Sequence, residues 1–268
     1  MSLFNKKKEG STPTPEGQKG DVGNFAGFAL LSEPVLDKGK FIEDLKADWG
    51  IDISDAAKPE DDVIYADIDG YRLVIGLIPS PVPDGEAEYW AKANYMWQDA
   101  VEVTAAHTAH VIIAILGSDD DPVEKGRLYV KIVSSMMKQE KAIAFYNEGA
   151  VFPPKMYLDF AGMLEGDHVP VLNLVWFGLY GNKEKAGIYT YGMRRMGKEE
   201  MEVYVDADKA DFNELREFMV AVASYVLETG ATLNPGETIG FTEEQKLPIT
   251  LSKGVAVDGN TLKIGYNK

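Results

Sequence analysis

From Thr232 to Tyr266 the chain reads TLNPGETIGFTEEQKLPITLSKGVAVDGNTLKIGY, with glycines at 236, 240, 254, 259 and 265 between short runs of β-forming residues. That punctuation commits the segment to strands and turns. Val255–Val257 and Thr261–Ile264 flank Asp258-Gly259-Asn260, residues that tolerate positive φ, so the spacing predicts a β-hairpin with its turn at 258–260.

The rest of the chain alternates short strands with short helices. Residues 1–24 are rich in Lys, Gly, Pro and Thr without periodicity and read as a disordered tail. Order begins at Phe25 with an apolar strand, followed by a helix that puts Phe41, Ile42, Leu45 and Trp49 on one face. Val63–Asp67 and Leu73–Ile78 are joined through Asp69-Gly70, a second hairpin signal, and Pro79, Pro81 and Pro83 end that strand. Asp84 is placed to cap a helix with the stripe Trp90, Ala93, Asn94, Trp97, Ala100 and Val101. His110–Leu116 reads as a buried strand. Asp121-Pro122-Val123-Glu124 is a helix start, with a cap, a proline at the first helical position and an acid at the third. Ala142–Tyr146 is the next strand.

In the second half, a helix over Lys155–Leu164 precedes a strand over Val169–Tyr180. The strands Ile188–Met193 and Met201–Val205 lead into a helix capped by Asp211, with Leu215, Phe218, Met219, Val222 and Val226 inward. These orders define an α+β protein with antiparallel or mixed sheets rather than a Rossmann fold. The first half runs β-α-β-β-α-β, the order of a split βαβ unit. The chain therefore reads as one domain over 25–268, with two fused ferredoxin-like halves at about 25–150 and 151–268 as the finer expectation.

Charge and composition exclude several function classes. The 268 residues carry a net charge of −16. The first 24 hold one net positive charge, leaving −17 on the remainder. This balance argues against nucleic acid as a partner, because phosphate binding needs a basic footprint, and it suits a basic protein partner. There is no cysteine, which removes disulfides, thiolate metal sites and thiol nucleophiles. No apolar run approaches the length of a membrane span, and no hydrophobic segment follows Lys6–Lys8, so the expectation is a cytoplasmic chain without a signal peptide or stable membrane insertion.

Several motifs carry a resemblance: Asn94-Tyr-Met-Trp97, His107-Thr-Ala-His110, Trp176-Phe-Gly-Leu-Tyr180, Tyr189-Thr-Tyr-Gly-Met193 and Gly236-Glu-Thr-Ile-Gly-Phe241, with the C-terminal pattern KLPIT, GVAVDG and LKIGY. Together these span roughly residues 25–266 and resemble a bacterial family known only as a domain of unknown function. The resemblance brings no activity and no catalytic residues.

Two sets of side chains are candidates for function. His107 and His110, with Glu102 as third ligand, have the donor types of a divalent transition-metal site in a hydrolase. The simpler reading places one histidine at a helix end and the other beside a strand, with no cofactor bound. Trp176, Tyr180, Tyr189 and Tyr191 concentrate aromatic area on two strands, where one alternate set enters the core and the other forms a binding surface. Asp119-Asp120-Asp121 has the oxygen ligands for Mg²⁺ or Ca²⁺ but sits where acids complement a helix N-terminus. Arg194 and Arg195, adjacent on an expected strand, point to opposite faces and make no single clamp. Serine-elbow and phosphate-loop motifs are absent. The sequence thus favours a non-enzymatic protein-binding module, immunity- or adaptor-like, with a metal-dependent hydrolase as the alternative.

Overall fold

The computed structural model describes residues 22–56, 63–118, 120–242 and 244–266. The expected tail lies almost entirely outside these residues. Of residues 22–24 within them, the Gly23 N–H donates to the Arg195 carbonyl at 2.8 Å.

The first half supplies β1 (Phe25–Leu31), α1 (Lys38–Trp49), β2 (Val63–Ile68), β3 (Tyr71–Ile78), α2 (Glu86–Ala91), α3 (Ala100–Ala105), β4 (Ala109–Leu116), α4 (Pro122–Met137), β5 (Ala142–Asn147) and β6 (Ala150–Phe152). Its strands form an antiparallel sheet in the order β2-β3-β4-β1-β5-β6. The β2–β3 turn has Asp69 at φ 50° and Gly70 at φ 85°, two successive positive values that match the right-handed strand twist. Asp37 and Asp121 cap α1 and α4 by accepting from the Lys40 and Glu124 amides at 2.9 and 3.1 Å. Helix α4 packs on β1, β4 and β5. It buries Tyr129, Ile132, Val133 and Met136 beneath the inner face of the sheet.

The second half contains α5 (Pro154–Ala161), α6 (Val171–Leu174), β7 (Trp176–Gly181), β8 (Lys185–Tyr191), β9 (Met201–Asp206), α7 (Phe212–Thr229), β10 (Thr238–Ile239), β11 (Leu247–Lys253) and β12 (Asn260–Ile264). The second sheet runs β10-β11-β12-β9-β8-β7. Its pairs are antiparallel except β12–β9, where Leu262 lies beside Met201 and Lys263 beside Glu202. Helix α7 covers one face, against Phe177, Ile188 and Val203. Asp211 caps it by accepting from the Asn213 and Glu214 amides.

The fold is α+β, with one antiparallel and one mixed sheet. The ferredoxin-like halves are not confirmed: β4 lies between β1 and β3, and β1 and β2 run in opposite directions, whereas a split βαβ unit needs them parallel. β6 (Ala150–Phe152) completes the first sheet by pairing with β5. Four local expectations also change. The helix expected after Asp84 is two short ones, because the Asn94 side chain accepts from the Met96 and Trp97 amides and turns the chain. Asp84 does not cap it; Gly85 stands at that position. The strand expected over Val169–Tyr180 begins only at Trp176, after the single turn of α6. Arg194 and Arg195 lie in a 3₁₀ turn, Met193–Met196, rather than on a strand.

A contiguous core runs through both halves. The segment between α2 and α3 ties their edges: the Asn94 side-chain amide donates to the Val151 carbonyl of β6 at 2.7 Å, and the Tyr95 hydroxyl to the Phe177 carbonyl of β7 at 2.8 Å. Edge carbonyls left bare there would invite pairing with other chains. No helix among the described residues is long and apolar enough to cross a membrane.

Candidate functional site: an aromatic groove on the second sheet

Alternation along β7 sends Phe177 inward and Trp176, Gly178 and Tyr180 outward. In the paired register Trp176 stands opposite Tyr191, Gly178 opposite Tyr189, and, one strand further, Gly187 opposite Tyr204. The glycines are what let the rings lie across the sheet. A Cβ on Gly178 would fall 2.1 Å from the Tyr189 ring, and one on Gly187 2.5 Å from the Tyr204 ring. Gly149, at φ 93° in the β5–β6 turn, repeats the arrangement with Tyr191, again at 2.5 Å. Each tyrosine thus fills the space a side chain would occupy, giving a floor of aromatic faces rather than edges.

Walls rise around this floor. Trp90 of α2 meets Tyr191 with ring centroids 6.1 Å apart. Glu148 and Gly149 close one side and Lys253–Asp258 the other, enclosing a groove of about 660 Å³. That volume and its aromatic lining are those of a ligand-sized site. Trp176 is 5% exposed and serves as a base, while Tyr189, Tyr191 and Trp90 are half-buried and offer surface. The structure therefore brings together Trp176, Tyr189 and Tyr191 of the expected aromatic set. Tyr180 sits apart, packed edge-on against Tyr204 at 5.4 Å, and does not line the groove.

Two buried carboxylates brace the groove, and both escaped the sequence reading. Glu200, 2% exposed, accepts from the Thr190 hydroxyl at 2.7 Å and from the Gly192 and Arg194 amides at 2.8 and 3.2 Å. It fixes the turn after β8. Burial raises its pKa, and those hydrogen bonds only partly oppose the shift. Glu202, with no exposed surface, accepts from the Val255 and Ala256 amides, from Thr261 and from the Lys263 ammonium at 2.5 Å. Burial pushes its pKa up, but the bonds from Lys263, Ala256 and Thr261 outweigh it and bring the group below the ordinary value.

This changes the expected C-terminal hairpin. Its strands are β11 and β12, with 254–259 as the connection, so Val255–Val257 form no strand. The amides of Val255 and Ala256 bond the Glu202 carboxylate instead. The only sequence sign was Glu-Met-Glu at 200–202 entering an apolar alternation, lost among the many other acids. Arg194 completes the brace by donating to the Asp258 and Asn260 carbonyls at 2.8 and 3.1 Å.

The groove is electrically balanced. Glu148 and Asp258 at its rim are matched by Arg194 and Lys253. Burial and the neighbouring Glu148 carboxylate push the Tyr191 phenol up to about 12, and burial raises that of Tyr189. Both phenols are neutral hydrogen-bond donors near pH 7.

The two histidines lie elsewhere. The His107 ring donates through Nδ1 to the Thr104 carbonyl and accepts at Nε2 from the Val82 amide at 2.8 Å, so both nitrogens are committed. His110, on β4, donates through Nδ1 to the Ser80 carbonyl at 2.8 Å and meets Phe28 edge-on. Burial lowers its pKa and favours the neutral ring. Both histidines are buried, each 4% exposed, whereas Glu102 is exposed on α3. Among the described residues no group of three or more His, Cys, Asp or Glu is arranged to hold a metal ion. In the aspartate run, Asp121 caps α4, Asp120 accepts from Ser118, and Asp119 lies outside the described residues.

A family model described as Domain of unknown function (DUF4261) matches residues 189–265, from Tyr189 on the groove floor through the whole 254–259 wall. The match is consistent with the resemblance drawn from the sequence and carries no established activity. No curated protein and no solved structure matches the chain.

Proposed function

We propose that this chain is a non-enzymatic protein-binding module, immunity- or adaptor-like, that receives an extended segment of a partner in the aromatic groove. The observation that carries the reading is the floor of Tyr189 and Tyr191 laid over Gly178 and Gly149. Glycine weakens a strand, and at Gly178 it makes room for the Tyr189 ring in a preformed ligand-sized surface, while Gly149, which its turn already requires, leaves room for Tyr191. Half-buried tyrosine and tryptophan faces supply contact area at small entropic cost, and their polar atoms supply hydrogen bonds. The −16 charge lies mainly outside the groove, where it steers a basic partner by long-range attraction, while the balanced groove makes the short-range contact.

Affinity capture from cell extract tests the reading, with the native chain and a Trp90→Ala/Tyr189→Ala variant as parallel baits. A defined protein retained by the first and lost by a folded second supports it. Equal retention of every captured protein overturns it.

A further inference from the structure

The described chain begins beside the groove. Asn24 lines a small cavity with Glu148, Tyr191 and Arg194, and those three residues also line the groove. Val22 stands in the wall of a neighbouring cavity, again with Arg194. Whatever precedes Val22 therefore leaves the body beside Arg194, a residue of the groove's lining.

The preceding residues contain Thr12-Pro13-Thr14-Pro15. Each proline fixes its own φ near the polyproline-II value and disfavours helix at the threonine before it, so all four residues prefer one extended conformation. Such segments are bound by surfaces of the groove's kind. Proline rings pack on Tyr and Trp faces, and aromatic hydroxyls bond the outward carbonyls of a helix that has no internal hydrogen bonds. A polyproline segment is uncharged, which agrees with a groove whose two acids and two bases cancel.

Distance and charge permit the contact. Six residues lie between Pro15 and Val22, a reach of about 20 Å when extended at roughly 3.1 Å per residue. Lys6, Lys7, Lys8 and Lys19 make the segment basic against an acidic body. A short tether holds its own ligand at an effective concentration of about millimolar, so even a weak contact is populated.

We infer that residues 12–15 of this chain occupy the aromatic groove in cis as a polyproline-II segment, and that a partner's segment binds by displacing them. The inference rests on the reading of the groove as a protein-binding surface, and it assigns that surface the class of proline-rich extended segments.

The test uses the full chain and leaves the folded body untouched. Indole N–H signals of the native chain are compared by NMR with those of a Pro13→Ala/Pro15→Ala variant. Docking in cis predicts that the Trp90 and Trp176 signals shift in the variant while that of Trp49, on α1, stays in place. A synthetic peptide of residues 8–18 at millimolar concentration should return both signals toward their native positions. Unchanged Trp90 and Trp176 signals overturn the inference. If an unrelated proline-rich peptide still shifts them, the groove survives as a protein-binding surface without its cis ligand. If no such peptide does, the assigned ligand class falls as well, and partner capture alone decides the broader reading.

Discussion

The two sheets are alike in strand number and opposite in what their outer faces offer. On the first, the row Tyr65, Val74, Ala114 and Ala26 and the row Val63, Gly76, Ile112 and Phe28 are small or aliphatic for most of their length, with α2 and α3 over one end. On the second, tyrosines lie flat over glycines between raised walls. The comparison gives strand glycine two meanings. Gly76, on the outer face of the interior strand β3, has no atom nearer than 3.8 Å to a notional Cβ, while Gly178, on the outer face of the edge strand β7, underlies a ring. On these outer faces the unoccupied glycine is neutral space and the overlaid one makes room for a ring, whereas Gly27, overlaid by Tyr129 and Phe145 on the inner face of β1, serves core packing.

The contrast can be broken most forcefully by removing residues 232–268. β12 lies between β9 and β11, so its loss exposes β9 as a bare edge and unseats Ile249, Leu262 and Ile264 from the core. The expected outcome is no soluble protein on expression. A monomeric truncation that melts cooperatively would show the first sheet to be self-sufficient.

A smaller effect follows from Glu202→Ala, which strips the Lys263 ammonium of its buried partner and frees two amides. A loss of about 3 kcal/mol is expected in denaturant titration, the usual scale for breaking a buried ion pair. The pH dependence has a defined sign. Because the folded pKa of Glu202 lies below the ordinary 4.5, its contribution is whole above that pH and is lost as pH falls through the folded value. Glu200, raised by burial, acts in the opposite sense, favouring the fold at low pH and losing that contribution as pH rises above about 4.5. A Glu202→Gln variant should therefore show a flatter acid-side decline in stability than the native chain.

The histidines come next. His107→Ala leaves the buried Val82 amide without its acceptor, at a cost of about 2 kcal/mol by thermal or chemical melt. Elemental analysis of the native chain is expected to find no stoichiometric transition metal. About one equivalent, lost in a His107→Ala/His110→Ala variant, would restore the hydrolase alternative.

The glycine pair sharpens the comparison most directly. Gly178→Ala should cost about 1–2 kcal/mol by displacing Tyr189. Gly76→Ala, in open space, should be neutral or stabilise by about 0.5 kcal/mol. Equal melting temperatures for the two variants would remove the distinction between the faces.

Legibility in the sequence followed the range of the interactions. Asp69-Gly70, Asp121-Pro122 and Asp211 act within four residues of themselves, and each sits where local chemistry placed it. The α+β class followed from such signals. The order of strands did not, because β1 chooses β4 across about eighty residues of chain. For the site, Trp176, Tyr189 and Tyr191 were legible as a cluster, but Trp90 comes from α2 and Glu148 from a turn in the other half. Asp258-Gly259 misplaced a strand because a carboxylate more than fifty residues earlier outbid the local hairpin. Turn chemistry announces itself only when nothing distant competes for the same amides.

The parallel join between β12 and β9 has a consequence for how the molecule comes apart. Two residue pairs are all the ladder that links the β10–β12 group to the β7–β9 group. The Glu202–Lys263 pair crosses that seam, and α7 underlies the β7–β8 side of it. Partial opening under mild stress should begin along this line, as a sub-global unit with its own free energy below that of global unfolding. The 254–259 wall travels with β12, so the first fragment to loosen carries one side of the groove with it. In hydrogen exchange, the amides of Val255 and Ala256 should then lose protection together with β12, ahead of β8 and the α4 core.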